Sequence, residues 1–347
     1  MLDDVNVLKQ RDPNGALAIA ASEYSQAEFE ATIQNGDHDH RPIRNIVVAG
    51  MGGSALAALI VKVWLRDVLD ESFEVVRGYK LPNYVGPNTL VIISSCSGNT
   101  EETLGCLDQA RERGSQVAIM TSGGVLLERA HDLSIAHVVL PDRAEIEPRM
   151  TTIAQMRALT QLLTHFALIP PSYYQEIAQQ AGSLGAAIKD WASHVTVDRN
   201  YAKQLALLAV GKTAVIYGGE LTAPLAYKWK ISWNENSKNV AFWNEYPEVN
   251  HNEFLGWTSH PIEKPYIIFD LLSHFESPRV QRRFEISDRL LSGMRPKATR
   301  VELVGDSVLT QLLWGCILAD FVSIYLAILN GVDPTTVALI EKLKQEL

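Results

Sequence analysis

The chain has 347 residues, 47% of them hydrophobic and 20% charged, with a formal net charge of −9. That is ordinary globular composition, enough for one large or two medium domains with real cores, and its acidity argues against nucleic acid or an anionic membrane as partner. Cys96, Cys106 and Cys316 form no C-x-x-C and cannot all pair, which points to a reducing cytoplasm.

The N-terminal "MLDDVNVLKQRDP" has early acids and no apolar h-region, so no signal peptide is expected. Residues 1–44 read as polar and helical and end in the turn-rich "NGDHDHRP". His38 and His40 alternate with acids there, but no helix or strand fixes them, so a solvated connector is expected rather than a metal cluster. Residues 45–49 ("NIVVA") are a short buried-strand run, followed by the turn "GMGGS" and an alanine- and leucine-rich helix from Ser54. Further strands are expected in "FEVVRGYKLP" (73–82), "TLVIISS" (89–95), "QVAIMTSGG" (116–124) and "AHVVLP" (136–141), with a helix over 100–113. Strands alternating with helices predict a parallel, doubly wound α/β sheet, whose ligands bind at the carboxyl ends of its strands.

After a helical region near 150–210 the pattern repeats. "TAVIYGGELTAPLAYKWKISWNE" (213–235) has the layout of "NIVVAGMGGSALAALIVKVWL" (45–65), and "PYIIFDLLSHFESPRVQRRFEIS" (265–287) loosely echoes "NTLVIISSCSGNTEETLGCLDQA". "ATRVELVG" (298–305) supplies another strand. The expectation is a duplicated fold of two flavodoxin-like layered α/β domains in tandem, residues 1–190 and 191–347, the second without the hydroxyl cluster. "LLWGCILADFVSIYLAILNGV" (312–332) is apolar enough to raise a membrane question. Asp320 sits at its middle, where a carboxylate costs roughly 2.5–3.5 kcal/mol on insertion, so a buried core helix is expected.

Two turns carry the functional signal. In "SSCSGNT", Ser95, Ser97 and Thr100 precede a helix start, and Gly98 lets successive amides point inward; in "GMGGS", Gly53 allows close approach and Ser54 opens its own helix. A dianionic phosphate wants such donors at the positive end of a helix. The plain alternative is that Thr100 caps its helix and the serines fill a turn. Neither turn is a P-loop or a G-x-G-x-x-G dinucleotide fingerprint, and phosphate without nucleotide points to a phosphorylated sugar.

"GMGGS" followed by "SCSGNTEET" resembles the sugar isomerase (SIS) domain family. "YKWKISWNENSKNVAFWNEYPEVNHNEFLGW" (227–257) and "ADFVSIYLAILNGVDPTT" (319–336) further resemble the bifunctional phosphoglucose/phosphomannose isomerases. The resemblance implies an aldose–ketose isomerase interconverting glucose 6-phosphate or mannose 6-phosphate with fructose 6-phosphate through a cis-enediol. No metal or organic cofactor is expected. It further implies a homodimer with its site at the subunit interface. Glu235 in "WNENSK" matches the family's base, in apolar company that can raise a carboxylate pKa. His251 in "EVNHNEF" matches the ring-opening histidine, which in family members reaches the other subunit's site. Arg149 in "EPRMTT" matches the enediolate-stabilising cation, although "MTT" departs from the small apolar residues usual there.

Near the C-terminus, Val337, Ile340 and Leu347 define one helix face with Lys344 between them, and Lys342 and Glu346 lie opposite. Lys344 is the better match to the family's functional lysine, and Lys342 is the alternative. Thr335 or Thr336 fits the position where the bifunctional enzymes carry threonine instead of glutamine. Cys96 stands where the family often has an aromatic, and a thiol near a helix start is expected to have a lowered pKa. Two other readings stay open: a different SIS isomerase acting on a pentose or amino sugar phosphate, and a non-catalytic sugar-phosphate sensor.

Overall fold

The computed structural model describes residues 1–141, 147–259 and 264–346, the side chains at 341, 344 and 345 excepted. The chain divides into two compact units, Glu23–Gly182 and Met1–Ser22 together with Ser183–Leu347. The sequence reading places the first 22 residues in the other domain and the boundary near 190. Several contacts hold the first 22 residues to Ser183–Leu347, among them Arg11 Nη1 donating to Ile328 O at 2.7 Å. Lys203 makes the most buried of these polar contacts. Its buried ammonium donates to Leu2 O (2.7 Å), Asp3 Oδ1 (2.9 Å), Ser193 O (2.9 Å) and Val195 O (2.7 Å). A buried cation needs all of its donors answered, and two of the answers come from the extreme N-terminus.

The Glu23–Gly182 unit is built on strands β1 (Ile33–Gln34), β2 (Asn45–Gly50), β3 (Ser72–Val76), β4 (Thr89–Ser94), β5 (Gln116–Thr121) and β6 (Ala136–Val139), in spatial order β1-β6-β5-β4-β2-β3. All pair in parallel except β1, which joins β6 antiparallel. β4 is buried at all six positions and β2 at five of six, as expected for strands covered by helices on both faces. The connector beyond β1 is not loose. His38 lies 5.0 Å from His165 and 4.8 Å from Phe166, ring centre to ring centre, and His165 Nε2 lies 2.7 Å from Gly36 O.

The other unit carries β7 (Thr213–Gly218), β8 (Ala241–Glu245), β9 (Tyr266–Leu272) and β10 (Thr299–Glu302), all parallel, in order β10-β9-β7-β8. That is the same path as β5-β4-β2-β3: out to one neighbour, then back across the first strand to the other side. The duplication expected from the sequence is thus present as topology. β8 is an edge strand in a stretch not foreseen as strand.

All but the last two residues of the apolar segment at 312–332 lie in the 23-residue helix Val308–Asn330, which is buried throughout its middle. Asp320 is paired there. Its two oxygens accept from Lys228 Nζ at 2.7 and 2.6 Å, and Oδ1 also accepts from Ser232 Oγ at 2.8 Å. A carboxylate answered three times by a neighbouring core helix belongs to a protein interior.

Candidate active site

In the Glu23–Gly182 unit the chain leaves β2 toward β3 and returns to β4 on β2's other side. This is the switch point at which doubly wound sheets open a crevice beyond their strand ends. Gly50 and Ser94, the last residues of β2 and β4, are register partners, so the two small-residue turns emerge side by side. Helix Gly53–Trp64 follows the first and helix Glu101–Glu112 the second. Each therefore presents its first unpaired amides to the same crevice.

The turns are joined to one another. Ser54 Oγ accepts from Cys96 N at 3.3 Å and lies 3.6 Å from Cys96 Sγ, and Ser94 Oγ donates to Ser54 O at 3.0 Å. Thr100 occupies the N-cap position of its helix, yet its side chain makes no capping bond. Its hydroxyl instead lies 2.9 Å from Ser95 Oγ, which accepts from Gly98 N at 3.2 Å. The capping alternative thus describes where Thr100 sits but not what its hydroxyl does. Ser54 and Ser95 are buried, whereas Ser97 is exposed and Thr100 half-exposed, which separates framing hydroxyls from presented ones.

Gly98 has φ +69°, and a Cβ there would lie 1.8 Å from Gly123 O. No other residue fits that close approach. Asn99 Oδ1 accepts from Val125 N at 3.0 Å, fixing the turn to the segment that follows β5.

Arg149 joins this assembly. It lies in the 3-10 turn Pro148–Met150, and a Cβ on Gly53 would come within 2.7 Å of Arg149 N. The glycine therefore admits the "EPRMTT" backbone against the first helix start. Arg149 is 1% exposed, which excludes a solvated arginine, and its Nη1 lies 3.3 Å from Glu147 Oε2. Thr151, which the sequence reading did not single out, brings its Oγ1 to 3.7 Å from Cys96 Sγ and accepts from Gln155 Nε2 at 2.8 Å. One unit thus gathers Gly53, Ser54, Ser95, Ser97, Thr100 and Arg149 around adjacent strand ends.

Cys96 corrects an expectation. Burial pushes its thiol up from the ordinary value, against smaller opposing effects from Ser54 and Thr151. Position near a helix start lowers a thiol pKa only where the thiolate stays solvated or charge-compensated.

In the second unit, Glu235 is the last residue of helix Ala223–Glu235 and is half-buried. Its neighbours are pinned. Asn234 Nδ2 donates to Asn239 O (2.8 Å), Asn236 Nδ2 to Ser323 Oγ (2.8 Å), Ser237 Oγ to Trp233 O (2.7 Å) and Lys238 Nζ to Glu235 O (2.7 Å). The polar residues of "NENSKN" therefore hold the helix end, and Glu235 is the carboxylate that end carries. Trp229 and Trp233 stack on each other at 5.6 Å and 14°, and both pack near Phe269.

His251 closes the 3-10 turn Glu248–His251 and is exposed. Lys344 lies on helix Ala338–Glu346, but its side chain falls outside the described residues. Lys342 Nζ lies 4.0 Å from Glu346 Oε1 on the exposed side of that helix. Thr335 Oγ1 donates to Asp333 Oδ1 at 2.6 Å and accepts from Asn14 Nδ2 at 2.7 Å, whereas Thr336 is exposed.

The second switch point, at β7 and β9, is filled by the protein itself. Glu276 Oε1 accepts from Leu221 N at 2.7 Å and Thr222 N at 3.2 Å at the start of helix Ala223–Glu235. The position that corresponds to the hydroxyl-bearing turns of the first unit is here taken by a buried carboxyl group, a feature the sequence reading did not detect.

Two layered α/β units, one with hydroxyl-bearing turns at its switch point, define a protein of the sugar isomerase class. A profile described as SIS domain matches residues 41–165, and one described as the bacterial phospho-glucose isomerase C-terminal SIS domain matches residues 198–347. A bifunctional phosphoglucose/phosphomannose isomerase of Aquifex aeolicus is 31% identical over 93% of this chain and 95% of its own length. One of Caldicellulosiruptor bescii is 33% identical over 88% and 90%. A crystal structure of a glucose-6-phosphate isomerase like protein from Thermus thermophilus shares the fold, with a TM-score of 0.64 at 17% identity over 98% of this chain and 99% of that one. The chain belongs to the bifunctional phosphoglucose/phosphomannose isomerase family.

Proposed function

We propose that the protein interconverts glucose 6-phosphate and mannose 6-phosphate with fructose 6-phosphate. The observation that carries this reading is the pair of joined turns at the β2/β4 switch point, in a chain that also keeps the family's carboxylate-bearing helix end. Ser97 and Thr100, with the amides of both helix starts, take the phosphate; Gly53, Ser54 and Ser95 set the distance between the turns.

His251 moves a proton from the C1 hydroxyl to the ring oxygen as the C1–O5 bond breaks. Glu235 removes the C2 proton, and the electron pair forms the C1–C2 double bond as the C1 carbonyl oxygen takes the charge. A proton passes from the C2 hydroxyl to that oxygen through the cis-enediol, and return of the first proton to C1 leaves the C2 carbonyl of the ketose. Arg149 stabilises the negative charge developing on the enediolate oxygens. The C2 epimers converge on one enediol, so a single base serves both substrates, and Thr336, whose hydroxyl is exposed, is the better candidate for the position where bifunctional enzymes carry threonine. Lys344 is assigned to the site by its family match alone. Each step uses side chains only. The family likeness also supports a homodimer in which His251 serves the partner's site, and the residual composition fits a cytoplasmic enzyme.

The test is solvent-deuterium incorporation at C2 of glucose 6-phosphate. Glu235→Gln is expected to lower exchange by at least ~10³-fold with fructose 6-phosphate affinity changed only a few-fold. Binding by the wild-type protein without any exchange would leave a sensor, and a large affinity loss in the variant would make Glu235 structural.

A further inference from the structure

A cavity of about 500 Å³ in the second unit is lined by Arg279, Arg282, Arg283, Ile286 and Leu290 on one face of helix Pro278–Leu290, together with Ser287 of the same helix and with Asn250 and Phe254. In a chain of net charge −9, three guanidiniums on one cavity wall need a reason. Surrounding carboxylates do not supply it. Glu253 is taken by Tyr217 and Asn244, Glu276 by Leu221 and Thr222, Asp288 by Arg295 and Ala298 N, and Glu248 by Asn252. Among the described residues, no carboxylate lies within ion-pair distance of Arg279, Arg282 or Arg283. Arg283 is instead oriented by a neutral partner, donating from Nη1 to Asn250 Oδ1 at 2.9 Å, and Asn250 Nδ2 donates to Ser287 Oγ at 2.8 Å. One guanidinium is thus fixed without being neutralised.

The wall changes character along the helix. Positions 279, 282 and 283 are cationic, and positions 286 and 290, one and two turns on, are apolar and face the cavity together with the Phe254 ring. Such a surface matches a ligand with two or three phosphoryl groups at one end and a flat apolar group at the other. The volume lies within the range of small-molecule pockets. From this geometry we infer a second anion site that binds a nucleoside di- or triphosphate, its phosphates on the three arginines and its base against Phe254, Ile286 and Leu290. This site does not depend on the isomerase reading.

The test is calorimetric titration of the full chain with ATP and, separately, with inorganic pyrophosphate, both in EDTA and with saturating fructose 6-phosphate. ATP is expected to bind one per chain, with its Kd within about twofold with or without fructose 6-phosphate, and pyrophosphate at least ~10-fold more weakly, since it lacks the ring to bury. Because Arg279 and Arg282 are exposed, Arg279→Ala/Arg282→Ala should fold normally, and it should weaken ATP by at least ~10-fold through lost charge-assisted contacts. Absence of ATP binding, an unchanged Kd in the double variant, or displacement by fructose 6-phosphate would each overturn the site. Pyrophosphate binding as tightly as ATP would overturn the nucleotide class. Self-association that the double variant abolishes would give the arginines to a second copy instead. Failure to bind fructose 6-phosphate would count against the isomerase reading and leave the ATP result standing.

Discussion

Asp270, on β9, is 2% exposed, and its Oδ1 has no hydrogen-bond partner among the described residues. Burial pushes its carboxyl up from 3.8 to about 7, against the opposing pull of Arg295. A native pKa raised above the unfolded one means that the folded state holds the proton more tightly. Its stabilising effect is therefore complete below about pH 4 and is lost as pH rises toward about 7. The full swing corresponds to ~4 kcal/mol, of which ~3 kcal/mol falls between pH 5 and 8. Asp270→Asn keeps the shape and removes the titration. The assay is urea unfolding of both proteins, followed by tryptophan fluorescence at pH 5, 6, 7 and 8. The variant should overtake the wild type as pH rises, the gap growing by about 3 kcal/mol across the series. Arg295→Met, which deletes the opposing charge, should steepen the wild-type loss. Parallel curves for wild type and Asp270→Asn would refute the reasoning, since they would mean that the buried carboxyl does not titrate in this window.

Replacing Gly98 by alanine drives a Cβ into Gly123 O at φ +69°, so kcat/KM for fructose 6-phosphate should fall at least ~10-fold, with a stability loss of ~1–3 kcal/mol by thermal melting. Cys96 and Cys106 both have thiols raised by burial, Cys106 to about 11. At pH 8 iodoacetamide should therefore label the native chain at least ~10-fold more slowly than free cysteine, and fast labelling of Cys96 would restore the reactive-thiol expectation. Lys228→Met alone strands Asp320 and should cost ~3–5 kcal/mol in urea unfolding, while Lys228→Met with Asp320→Leu should recover most of it.

The strands nearest the hydroxyl-bearing turns were readable because parallel strands buried on both faces write unbroken apolar runs: "NIVVA" and "TLVIIS" can hardly be anything else. β8 was not, because an edge strand alternates exposed Phe242 and half-buried Trp243 and Asn244 and so lacks that signature. β1 is two residues long and exists only by pairing with β6. Attachment of Met1–Ser22 to the far half of the chain rests on contacts such as Lys203 with Leu2 and Asp3, and Arg11 with Ile328 O, between residues 200 to more than 300 positions apart, and no local pattern encodes that. Among site residues, spacing gave the hydroxyl turns, but the burial that raises the Cys96 thiol is a product of tertiary packing, and so are the weaker opposing hydrogen bonds from Ser54 and Thr151, each more than 40 positions distant.

The two halves answer the same physical problem differently. Each crossover ends in a helix whose first amides point beyond the sheet with no partner in the helix itself. In the Glu23–Gly182 unit, Ser97 and Thr100 stand beside those amides with hydroxyls that can donate or accept, so the turn stays compatible with an arriving dianion. In the other unit, the buried Glu276 places Oε1 at 2.7 Å and 3.2 Å from Leu221 N and Thr222 N. A phosphate could enter there only by displacing the Glu276 carboxyl group from those two donors. Duplication of the fold therefore did not duplicate the open, hydroxyl-lined helix start. The second copy, with its helix start closed, is left to carry residues at its other end, and Glu235 is the last residue of that same helix.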